Sequence, residues 1–115
     1  MRSDNMNPYD IAHELAQALK ESEAFKKYRD TRLEVLKNEE HTKMLEDYQT
    51  KVMELQLDRM KTGKFDEAKL EELKNLEGIL MANSVLGEYL KAEMTFSQIF
   101  TDINKIISDA VEVHG

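Results

Sequence analysis

Residues 85–113 read VLGEYLKAEMTFSQIFTDINKIISDAVEV, and the periodicity of this stretch decides the fold class. Leu86, Tyr89, Glu93, Phe96, Phe100, Ile103, Ile107 and Ala110 recur at alternating three- and four-residue steps. That spacing keeps side chains on one face of an α-helix and lets the face pack along a second helix. Ile99, Ile106 and Val113 form another row, seven residues apart, beside the first. A continuous helix over this span is about 43 Å long at 1.5 Å per residue. A compact domain of 115 residues is roughly 35 Å across. The helix is therefore expected to overhang its own core and to carry more apolar surface than one neighbour covers.

A second copy is the simplest cover, because the same patch on two chains is self-complementary. Phe96, Ile99, Phe100, Ile103, Ile106 and Ile107 are the candidate self-association surface of an expected homodimer, with Phe96, Phe100, Ile103 and Ile107 expected to be buried. The alternative is a monomer in which the first two helices fold back over both rows.

Upstream, Leu70, Leu73, Leu76 or Glu77, and Leu80 continue the helical pattern from a cap at Asp66, and Asn83-Ser84 interrupts it as a turn or kink. Before that, Leu45, Tyr48, Val52 and Leu55 give a long third helix running from a cap at Asn38 to a stop at Gly63. These two helices form a hairpin. A second helix follows a cap at Ser22 and is locally basic, with five bases against three acids over residues 23–37. The first is short and starts at Asn7-Pro8-Tyr9-Asp10, where Asn7 caps, Pro8 suits the first helical position and Asp10 favours the dipole. Ile11, Ala12, Leu15, Ala16 and Leu19 line its apolar face as far as Lys20. The expected architecture is all-α, a helical bundle with a helical hairpin and a long C-terminal helix: a loose tail over 1–6 and one domain over 7–115. No linker, repeat or low-complexity tract divides it.

Charge and composition narrow the function classes. Asp and Glu total 23 against 16 Lys and Arg, and the net charge of -7 opposes direct nucleic-acid binding and contact with anionic lipid. The absence of cysteine removes disulfides, thiol nucleophiles and thiolate metal sites. No stretch nears the roughly 20 apolar residues of a membrane span, and residues 1–10 lack a secretory apolar run, so no membrane insertion and a cytoplasmic location are expected.

The chemistry-bearing residues do not converge. Asp10-x-x-His13 places a carboxylate and an imidazole on one helical face, but a di-iron bundle needs two Glu-x-x-His pairs and two more inward carboxylates. Asp10 reads better as a capping acid and His13 as a surface residue, while Glu39, Glu40 and His41 sit in a first helical turn. His114 has no such neighbour. Glu71, Glu72, Glu77 and Glu88 interleave with Lys69, Lys74 and Lys91 as on a solvated face. Ser84 and Ser97 lack a positioned histidine, and the four glycines are isolated. No enzyme activity, cofactor or metal is expected. Met44, Met53, Met60, Met81 and Met94 read as core filler in preference to an adaptable binding groove.

The run Tyr9-Asp10-Ile11-Ala12-His13-Glu14-Leu15-Ala16, then Ser22-Glu23-Ala24-Phe25-Lys26-Lys27-Tyr28, resembles the opening of the bacterial YlbF/YmcA family of helical regulators. Asn38 to Tyr48 resembles that family's third-helix start, with Glu39 where a proline is expected. Residues 80–93 resemble its break before the final helix, and Ile103-Asn104-Lys105-Ile106-Ile107 its ending. The resemblance implies an all-helical, dimer-forming, non-enzymatic adaptor. Its best-known members work in a complex controlling competence, sporulation and biofilm formation, and adjust messenger-RNA processing by a membrane-bound ribonuclease. That complex is associated with iron–sulfur clusters, for which this chain offers no thiolate. The competing expectation is a prefoldin-like holding chaperone subunit, which requires strand-forming residues in mid-chain. Residues 60–70 offer Gly63, Lys64 and Asp66 there instead.

Overall fold

The computed structural model describes residues 7–113; the loose tail expected over 1–6, and His114, lie outside the described residues. Five helices follow in order: α1 (Pro8–Glu21), α2 (Glu23–Leu36), α3 (Glu39–Thr62), α4 (Glu67–Ala82) and α5 (Ser84–Val111). The protein is all-α, and about 90% of the described residues are helical. No strand occurs among the described residues, so the platform a prefoldin-like subunit needs is not there.

Each helix begins at a polar side chain that takes up backbone amides left without intrahelical partners. Asn7 Oδ1 accepts from Tyr9 N–H at 2.8 Å, Ser22 Oγ from Phe25 N–H at 3.2 Å, and Asn38 Oδ1 from His41 N–H at 3.0 Å. Asp66 Oδ1 accepts from Ala68 and Lys69 at 3.0 and 3.2 Å. Gly63 closes α3 in the left-handed region at φ 78°, where a side chain would be strained, and its N–H donates to Arg59 O at 2.7 Å. The interruption at residues 83–84 is a tight turn: Asn83 ends α4 and caps α5 in one residue.

The core sits where the end of α2, the start of α3, the end of α4 and the start of α5 meet. Val35, Leu45, Leu80, Leu86, Tyr89 and Leu90 are buried together, with Tyr28, Met44, Tyr48, Leu76 and Val85 packed against them. Gly87 permits the α4–α5 turn to close, since a Cβ there would lie 2.7 Å from the backbone oxygen of Met81. From this junction α5 runs along α2, and α3 and α4 form the expected hairpin around buried Leu55.

The chain is a thin slab of 54 × 41 × 17 Å with a radius of gyration of 18.4 Å. A compact domain of this length has a radius of gyration near 13 Å. The compact body assumed from length alone is thus replaced by an open one. No residue beyond Ala92 on α5, and none from Gln56 to Ile79 on the hairpin, is buried.

Candidate interaction surfaces

The α2–α5 contact is an aromatic ladder. Tyr28 on α2 lies 5.8 Å from Tyr89 and stacks on Phe96 at 5.4 Å, centroid to centroid. Phe25 meets Phe96 at 5.4 Å, and Phe100 meets Phe96 edge-on at 5.4 Å. Such offset and edge arrangements add to the apolar burial. Lys27 pairs with Glu88 across the same seam at 3.7 Å, on a solvated face. Burial, then the Tyr28 hydroxyl, pushes Tyr89 up to about 12.

Beyond Phe96 the ladder runs out of partners, because α2 has reached its N-terminus. Phe96, Ile99 and Ile103 are half-buried, whereas Phe100 is 47%, Ile107 51% and Ile106 67% exposed. The expected burial of all of Phe96, Phe100, Ile103 and Ile107 is therefore not met within one chain. Phe100 and Ile107 lie open because α1 packs on α2 and not over the end of α5. The alternative in which the first two helices cover both rows of a monomer fails for the same reason.

A second apolar row lies on α3, where Met53 and Met60 read from the sequence as core filler in preference to a binding groove. Met53, Leu57 and Met60 follow one another on α3 at steps of four and three, all exposed, with Met60 at 81%. Their spacing was the available signal. Met81 and Met94 are exposed as well, and only Met44 joins the core, so core filler is the wrong reading for most of these methionines. At the hairpin end the Arg59 guanidinium lies 4.9 Å above the half-open Phe65 ring.

The polar groups serve structure. Tyr48 donates its hydroxyl to Glu77 Oε2 at 3.0 Å across the hairpin. Burial first, then the Glu77 hydrogen bond and the Glu77 and Glu93 charges, push Tyr48 up to about 12. His13 and Asp10 are exposed. Among the described residues no three His, Asp or Glu side chains come together as a metal-holding group, and no helix is long and apolar enough to cross a membrane.

Residues 9–112 match the family described as control of competence regulator ComK, YlbF/YmcA. The chain belongs to this family. Among YlbF/YmcA relatives, a UPF0342 protein of Caldicellulosiruptor bescii is 40% identical over 106 residues, 92% of this chain and 89% of that one. One from Clostridium tetani is 35% identical over 108 residues, 94% of this chain and 93% of that one. Solved structures share the fold. A protein of unknown function (DUF964) from Bacillus stearothermophilus has a TM-score of 0.77 at 17% identity, covering 90% of each chain. A chain in the structure of Bacillus subtilis RicA in complex with RicF has a TM-score of 0.56 at 18% identity, over 90% of this chain and 91% of that one.

Proposed function

We propose that this YlbF/YmcA protein is a non-enzymatic regulatory adaptor that works by presenting helical apolar surface to other protein chains, first of all to a second copy of itself. The observation that carries the reading is the end of α5, where Phe100, Ile106 and Ile107 stand open and no other element among the described residues covers them. Water contact with these apolar side chains is unfavourable at about 25 cal/mol per Å². The fold relative solved as RicA in complex with RicF supports protein partnership as the mode of action. On this reading the chain acts in the cytoplasm, on the family's processes of competence, sporulation, biofilm formation and messenger-RNA processing. Any effect on RNA runs through partner proteins, because a net charge of -7 repels phosphate.

Light scattering at micromolar concentration tests the reading. The expected mass is about twice the 13.4 kDa of one chain. Ile99→Glu with Ile106→Glu would take carboxylates out of water and is expected to cost several kcal/mol of association, leaving monomers. A monomeric mass for the unmodified protein would remove the structural basis of the adaptor.

A further inference from the structure

The two ends of the α3–α4 hairpin are held by different forces. Next to the junction Leu45, Leu55 and Leu80 are buried, and Tyr48 reaches across to Glu77. Between Gln56 on α3 and Ile79 on α4 no residue is buried. Leu57, Met60 and Phe65 are exposed, and the only apolar side chains even half-buried there are Leu70, Leu73 and Leu76. A segment that buries so little loses little apolar contact when it opens.

Ion pairs cross the hairpin where the buried side chains stop. Lys51 Nζ on α3 lies 3.3 Å from Glu72 Oε1 on α4, and Lys69 Nζ on α4 lies 2.7 Å from Asp58 Oδ2 on α3. Lys51 and Asp58 are seven residues apart, which returns a helix to the same face, so the two pairs bridge one side of the hairpin. The hydrogen bond to Glu72, then the Asp47 charge, holds the Lys51 ammonium above the usual lysine range, and the bond to Asp58 does the same for Lys69. Each pair contributes little by itself and is screened by salt. With no buried side chain beside them, they nonetheless decide whether the end of the hairpin stays closed.

We propose that residues 56–75 form a separately opening arm, latched by Lys51–Glu72 and Lys69–Asp58, which ionic strength releases while the junction of α2, α3, α4 and α5 stays folded. The inference is independent of α5 self-association. The helical parts of the arm, 56–62 on α3 and 67–75 on α4, are each shorter than the roughly 12–15 residues an isolated helix needs, so neither half holds its order once the other leaves. Opening starts at Gly63 and runs inward to Leu55, the last buried side chain of α3. The buried cluster of Val35, Leu45, Leu80, Leu86, Tyr89 and Leu90 lies outside the arm and keeps its contacts. Elements that rearrange on binding are drawn from such low-stability parts of a fold.

Amide hydrogen exchange of the full chain, followed at low salt and at roughly 0.5 M potassium chloride, tests the arm. Amides of residues 56–75 are expected to exchange at least about tenfold faster than those around Leu45 and Leu86, and several-fold faster again at high salt. Lys51→Gln with Lys69→Gln is expected to reach the high-salt exchange of the arm already at low salt, with the junction unchanged. Asp58→Lys alone is expected to speed exchange in the arm, and adding Lys69→Asp, which rebuilds the pair in reverse, to slow it again. Equal protection of arm and junction overturns the proposal, because the hairpin then opens only with the core. An arm that exchanges fast but responds to neither salt nor the lysine variant overturns the ionic latch.

Discussion

Asn83 Nδ2 lies 3.2 Å from Nε2 of His41, joining the α4–α5 turn to the first turn of α3. The direction of this bond follows from the other end of the amide. Asn83 Oδ1 accepts from Val85 and Leu86 N–H at 2.9 and 3.0 Å, so Nδ2 must donate and the imidazole Nε2 must accept. The ring proton is then on Nδ1, which is buried without a hydrogen-bond partner. Replacing Asn83 by Ala removes the α5 cap and the donor together, at an expected cost of about 1–3 kcal/mol. Urea denaturation checks it as a lower midpoint at unchanged slope. Asn83→Asp keeps the cap but offers His41 an acceptor, so 15N histidine spectra are expected to move from the Nδ1–H to the Nε2–H tautomer.

One substitution is expected to have opposite signs at two glycines. A Cβ at Gly87 meets Met81 O at 2.7 Å, and both are backbone of the α4–α5 turn, so Gly87→Ala forces the turn apart and costs about 1–3 kcal/mol. At Gly78, inside α4, nothing lies within 4 Å of the added Cβ. Gly78→Ala is expected to stabilise by about 0.5–1 kcal/mol through helix propensity and a less flexible unfolded chain. Paired thermal melts decide both.

Alkaline pH is expected to loosen the core through Tyr48 and Tyr89. Both phenols are pushed up to about 12 from 10.0, chiefly by burial. The folded state thus holds these protons more tightly than the unfolded chain, and the associated stability is fully present below pH 10. It is lost as pH rises from there through about 12. Tyrosinate absorbance should show two late-ionising phenols, coinciding with loss of helix. Tyr48→Phe, which deletes the hydroxyl bonded to Glu77, is expected to cost about 0.5–1 kcal/mol at neutral pH.

Phe96 and Ile106 should separate folding from association. Phe96 touches Phe25, Tyr28 and Phe100, so Phe96→Ala is expected to destabilise the chain itself by about 2 kcal/mol or more, measured at concentrations too low for association. Ile106 is 67% exposed, and Ile106→Ser should leave that low-concentration stability within about 0.5 kcal/mol while weakening self-association. Equal effects on both measurements would mean that the α5 end packs within its own chain.

Local signals alone determined the helices and their ends. Asn7, Ser22, Asn38 and Asp66 were legible as starts and Gly63 as a stop, because capping joins residues two to four apart and needs no distant partner, whereas Asn83-Ser84 read only as a turn or kink. Periodicity likewise marked the apolar faces of α1, α3, α4 and α5. Which faces are covered was decided only in three dimensions. Phe96 and Phe100 lie four apart on one face, yet α2 reaches the first and ends before the second. Met44 enters the core while Met53 and Met60, on the same helix, face outward past the junction. His41 and Asn83 are 42 residues apart and meet only because α3, α4 and α5 converge. Burial depends on what arrives from elsewhere in the chain, and a helix's own spacing does not record what arrives.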